Sequence, residues 1–127
     1  MHRSRLSTFV LDCKTSDLDD AAAFWSRALG RRARPDADGD PRYRVLDSDA
    51  EEPLLLVQAV EHESRIHLDI EADDLEAEAR RLEALGARRV AFIKRWIVME
   101  APSGQRFCIV NPQRGPLDGK RRVTEWP

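Results

Sequence analysis

The 127-residue chain lacks the features that mark several broad classes of protein. No apolar run approaches the roughly 18 residues of a membrane-spanning helix, and the N-terminus does not resemble a secretory signal. We therefore expect a soluble, cytoplasmic protein. There is no excess of one charge: Lys plus Arg is 21 against 23 for Asp plus Glu, a net charge of −2. That balance gives no reason to expect nucleic acid or an anionic membrane as partner. Cysteine is scarce. The two present, Cys13 and Cys108, fall in strand-like segments and read as reduced thiols, so no disulfide framework is expected.

What the chain does have is an internal repeat. Ile66 to Glu71 alternates Ile66, Leu68 and Ile70 with His67, Asp69 and Glu71, the period-2 pattern of a half-buried strand. A helix follows, with Asp73 or Asp74 as its cap, an apolar stripe of Leu75, Ala79, Leu82 and Leu85, and Gly86 at its end. The same text stands earlier in the chain. Leu11-Asp12 matches Leu68-Asp69, Asp17-Leu18 matches Asp74-Leu75, and Leu29-Gly30 matches Leu85-Gly86 after one residue is dropped. Self-similarity of this size indicates a duplicated structural unit.

The first copy reads as a strand over 6–13, then a helix over 17–29 burying Leu18, Ala21, Ala22, Trp25, Ala28 and Leu29. Three further strands are predicted over 31–35, 42–47 and 54–60, the last apolar enough for burial on both faces. The second copy repeats the order, with strands over 89–93, 96–100 and 106–110. Residues 1–5 read as a short basic start. The stretch 113–127, with its Lys120-Arg121-Arg122 cluster and no periodicity, reads as loosely attached or as an arm onto a neighbouring subunit. One helix cannot cover both faces of a four-stranded sheet. The expected fold is therefore α+β, two tandem βαβββ modules (5–62 and 63–112) pairing into a mixed-sheet open barrel, with a central cleft for a ligand.

Three motifs carry a resemblance. Phe24-Trp25 followed by Leu29-Gly30, His67-Leu68-Asp69-Ile70, and Ala101-Pro102-Ser103-Gly104 leading to Phe107-Cys108-Ile109 together resemble the vicinal oxygen chelate superfamily. That group includes glyoxalase I, bleomycin-resistance proteins and extradiol dioxygenases, and the match covers roughly residues 5 to 112 within its glyoxalase-like branch. The resemblance implies a small organic ligand in the cleft, with metal-independent lyase or isomerase chemistry. Its alternatives are metal-free sequestration of an antibiotic or metabolite, and a metal-dependent lyase or dioxygenase. It also implies a homodimer. The family's four metal-ligand positions fall here on Val10, the region of Gln58, His67 and Cys108. Only His67 is a strong donor of the family type, so neither a tightly bound metal nor any other cofactor is expected.

The candidate catalytic residues are His67, Asp69 and Asp12. His67 reads as a ligand, a general base or a hydrogen-bonding wall residue. The two aspartates read as a base and its helper, or as partners of an arginine such as Arg42, Arg44 or Arg106. Asp69 is not expected to hold His67, because positions two apart on a strand lie about 6 to 7 Å along it. Thr8, Val10, Gln58, Trp96 and Cys108 are candidate pocket residues. Cys108 doubles as a small buried filler, and Trp96 as a flat floor for a ring or acyl group.

Overall fold

The computed structural model describes all 127 residues as nine strands and two helices. The order is β1 (His2–Lys14), α1 (Leu18–Leu29), β2 (Ala33–Pro35), β3 (Tyr43–Leu46) and β4 (Leu54–Val60). It then repeats as β5 (Arg65–Ala72), α2 (Leu75–Ala84), β6 (Arg88–Ile93), β7 (Trp96–Glu100) and β8 (Arg106–Val110), and ends with β9 (Thr124–Trp126). The α+β class and the tandem βαβββ order are as expected. Two compact units result. The first is Thr8–Ile66; the second joins Met1–Ser7 to His67–Pro127.

In the first unit β4 lies parallel to β1 and antiparallel to β3, and β2 flanks β3. Helix α1 starts at Asp17, whose carboxylate accepts from the Asp20 backbone N–H at 3.1 Å. It ends at Gly30, where φ of 67° gives the left-handed turn that a glycine adopts without steric cost. Leu11, Leu18, Leu46 and Val57 form the core, with Trp25 and Cys13 packed against them. Ala28 and Leu29, read as part of the buried stripe, are exposed instead. In β4 only Val57 is fully buried; the other residues of its apolar run are half-exposed.

The second unit repeats this plan, with β8 parallel to β5 and antiparallel to β7, and β6 beyond β7. Asp74 caps α2 through the Ala77 N–H at 3.0 Å. Ala72, Ala79, Leu82, Ile97, Met99 and Ile109 make the core, while Leu85 at the helix end is exposed.

The two ends of the chain depart from expectation. Residues 2–5 are part of β1, and the tail is not loose. Strand β9 pairs antiparallel with His2–Ser4, Leu117 is buried, and the Trp126 indole N–H donates to Ser4 Oγ at 2.9 Å. The Arg81 guanidinium stacks 3.7 Å above the Trp126 ring. Around this seam two carboxylates are fully buried. Glu78 bonds His2 at 2.7 Å and Arg81 through both its oxygens at 2.8 Å. Glu71 accepts from Arg5 at 2.6 Å and from the Gln113 N–H at 2.8 Å. Buried charges persist only when so paired. The tail therefore completes its own subunit, which removes the reason for reading it as an arm onto a neighbour.

Candidate functional site

The second unit gathers its polar candidates on the sheet face turned away from α2. His67 and Asp69 sit two residues apart on β5 and so point the same way. Cys108 of β8 lies directly opposite Asp69 in the parallel ladder, and Val98 of β7 lies opposite Cys108. Trp96, two residues before Val98, shares that face, while Ile97 and Met99 go into the α2 core. Alternation along three strands thus builds the cluster without a loop.

Within it, the His67 Nε2 approaches Asp69 Oδ1 to 3.3 Å, with both side chains largely shielded. This corrects the expectation that Asp69 stands too far along the strand. The backbone spacing is as assumed, but the two side chains lean together over it. The approach lacks hydrogen-bond geometry, and Asp69 Oδ1 is closed off from solvent with no hydrogen-bond donor. Donor atoms of His67, Asp69 and Cys108 all lie within 4.8 Å of one another. Three such atoms fit a single divalent ion, which would act there as a Lewis acid on a bound oxygen.

The first unit carries the matching positions without the matching chemistry. Asp12 lies opposite Gln58, as Asp69 lies opposite Cys108, and Val10 holds the place of His67. Thr8, Val10 and Asp12 are buried on the face away from α1, and Tyr43, which the sequence did not single out, lies opposite Gln58. Asp12 Oδ2 is 3.6 Å from Arg65 Nε and 3.8 Å from His62 Nε2. Asp12 thus has an arginine, Arg65, beside it, while the three arginines named from the sequence bond other carboxylates. Arg42 bonds Asp40, Arg44 bonds Asp19, and Arg106 bonds Glu100. Two surface grooves, of about 300 Å³ between α2 and β6 and about 390 Å³ between α1 and β2, are not lined by His67, Asp69 or Cys108.

A family profile described as a glyoxalase-like domain matches residues 8–110. The chain belongs to this glyoxalase-like family. The match begins where the first unit begins and stops at the end of β8, leaving the start of β1 and the tail outside it. Solved structures agree on the fold. Methylmalonyl-CoA epimerase from Mycobacterium tuberculosis superposes with a TM-score of 0.60 at 20% identity, over 85% of this chain and 87% of that one. The Mn(II)-bound glyoxalase from Novosphingobium aromaticivorans gives 0.61 at 15% identity, over 94% of this chain and 45% of that one. A glyoxalase/bleomycin resistance protein/dioxygenase superfamily member from Vibrio splendidus 12B01 gives 0.51 at 17% identity, over 84% and 98%. No curated relative matches the sequence. At these identities the likeness establishes the glyoxalase-like fold and leaves the chemistry to the residues themselves.

Proposed function

We propose that this glyoxalase-like protein binds a small hydroxy-carbonyl compound at the His67, Asp69 and Cys108 cluster and moves a proton on it, as a lyase or isomerase does. The observation that carries this reading is the imidazole of His67 set 3.3 Å from a shielded carboxylate oxygen of Asp69. A carboxylate at that distance stabilises the imidazolium formed when the ring takes a proton. Trp96, on the same face, offers a flat apolar surface for the carbon skeleton of the ligand. In the step, the carbon–hydrogen bond next to the carbonyl breaks, its electron pair moves onto the carbonyl oxygen, and His67 holds the proton until it returns.

Hydroxyacetone in heavy water, with chelator present, tests this directly. Proton NMR should show solvent deuterium entering the carbon next to the carbonyl faster than with buffer alone, with the gain lost in His67→Ala. Saturable binding of hydroxyacetone with no exchange above the buffer rate would replace proton transfer by sequestration. Neither binding nor exchange would refute the assignment of this ligand class.

A further inference from the structure

We propose that the groove between α1 and β2 of the first unit binds a small phosphate monoester, whose phosphate meets Arg27 and Arg32. The groove encloses about 390 Å³ and is lined by none of His67, Asp69 and Cys108. Every residue that lines it lies within Thr8–Ile66. The inference therefore stands apart from the reading of the His67 cluster, and either can fail without the other.

Charge is the first argument. Four arginines line the groove: Arg27 in the last turn of α1, Arg32 just ahead of β2, Arg34 within β2 and Arg44 of β3. Two of them are engaged, Arg44 by Asp19 at 2.9 Å and Arg34 by Asp47. Arg27 and Arg32 have no carboxylate bonded to them. Two positive charges are left over, and a phosphate monoester brings about −1.5 to −2 with three acceptor oxygens. Guanidinium forks suit those oxygens; a carboxylate would balance only one of the two charges. The repeat supplies a comparison. The groove between α2 and β6 has one arginine, Arg89, which bonds Glu76 at 2.7 and 2.8 Å and Glu83 at 3.1 Å. There the positive charge is already used.

The second argument is shape. Strand β2 pairs with β3 alone, and an open strand edge normally invites a further strand. This edge is three residues long and ends in Pro35, which has no N–H to give a ladder. An extended peptide is therefore a poor occupant, and a small molecule a good one. Ala22 and Ala23 of the helix face Ala33 and Pro35 of the strand across the groove, an apolar floor for the organic part of the ligand. The walls are also tied together. The Ser26 hydroxyl donates to the Arg31 carbonyl, and the Arg31 N–H donates to the Ser26 carbonyl at 3.0 Å. The width of the groove is thus set before a ligand arrives, which lowers the cost of binding.

The test titrates the full chain with phenyl phosphate at low ionic strength, by calorimetry and by NMR of the backbone amides. One equivalent should bind, with the shifted amides centred on residues 22–35. Arg27→Gln and Arg32→Gln should each weaken binding about tenfold, with circular dichroism confirming that both variants are folded. Lys120→Gln, which removes an exposed charge elsewhere, and His67→Ala should bind as the parent chain does. Benzoate keeps the ring but brings one charge, and inorganic phosphate keeps the charge without the ring; both should bind more weakly. Absence of saturable binding, or binding indifferent to both arginine substitutions, would overturn the site. An equal loss in Lys120→Gln would reduce it to bulk charge, and a loss in His67→Ala would move the ligand to the other cluster; either result overturns the proposal. Benzoate binding as tightly as phenyl phosphate would overturn the phosphate class, and inorganic phosphate doing so would overturn the monoester.

Discussion

Asp69 and Asp12 occupy the same place in their repeats, each opposite the polar residue of the parallel fourth strand, Cys108 or Gln58. Their surroundings differ. Asp69 has an imidazole from its own strand and a thiol from the next. Asp12 faces two basic groups, His62 and Arg65, supplied by the connection from β4 and the start of β5. Where the second unit has His67, the first has the fully buried Val10. The duplication thus keeps one backbone register and divides the work. One copy of the position is given to packing and charge balance, the other to convergent donors.

The largest test of this contrast concerns the tail, which only the second unit has. Deleting 113–127 removes Leu117, Trp126 and β9, and burial of that size is worth about 4 kcal/mol. Urea unfolding should show that loss, and a change under about 1 kcal/mol would mean the tail contributes no packing. Next come the paired positions themselves. Val10→Ala should cost about 2 kcal/mol of stability, as truncation at a closed site does. His67→Ala, at a partly open polar site, should cost under about 1 kcal/mol. The reverse order would break the division between packing and function.

The smallest effect is acid sensitivity at the seam of the second unit. Burial pushes the Glu78 carboxyl up, but hydrogen bonds from Arg81, His2 and Ser4 more than offset it, so the group is held below its ordinary value of 4.5. An unfolded chain then binds more protons than the folded one in acid. The stabilisation is fully present above pH 4.5 and is lost as pH falls through the lower folded value. Glu78→Gln should flatten the acid limb of a stability profile; an unchanged slope would exclude this carboxylate as its source.

Much of this was legible in the sequence. Strands β4, β7 and β8 fall where alternation and flanking turns place them, and both aspartate caps follow from their position before an apolar stripe. The repeat also aligns Asp12 with Asp69, although the parallel pairing of each with its fourth strand was not read from the sequence. The ends of the chain were not legible. Strand β9 is three residues long, and its partner lies at the opposite end of the sequence, so no local pattern announces it. The His67–Asp69 contact was missed for a different reason: backbone spacing was used where side-chain direction decides. Of the partners of Asp12, His62 comes from the β4–β5 connection, a segment with no periodicity to read, and Arg65 from the start of β5.

The pairing of His2–Ser4 with β9 also has a temporal side. The first unit is one contiguous stretch, Thr8–Ile66, and its longest strand pairing, β1 with β4, closes within that stretch. The second unit begins with the first strand residues made and is sealed by contacts such as Ser4 with Trp126, 122 positions apart. Closing so long a loop carries an entropy cost before any contact rewards it. During synthesis the first unit is complete while the opening of β1 still waits, unpaired, for the residues that cover it. The seam that stabilises the finished second unit is thus the last part of it to form, and until then an exposed strand edge is open to pairing with another chain.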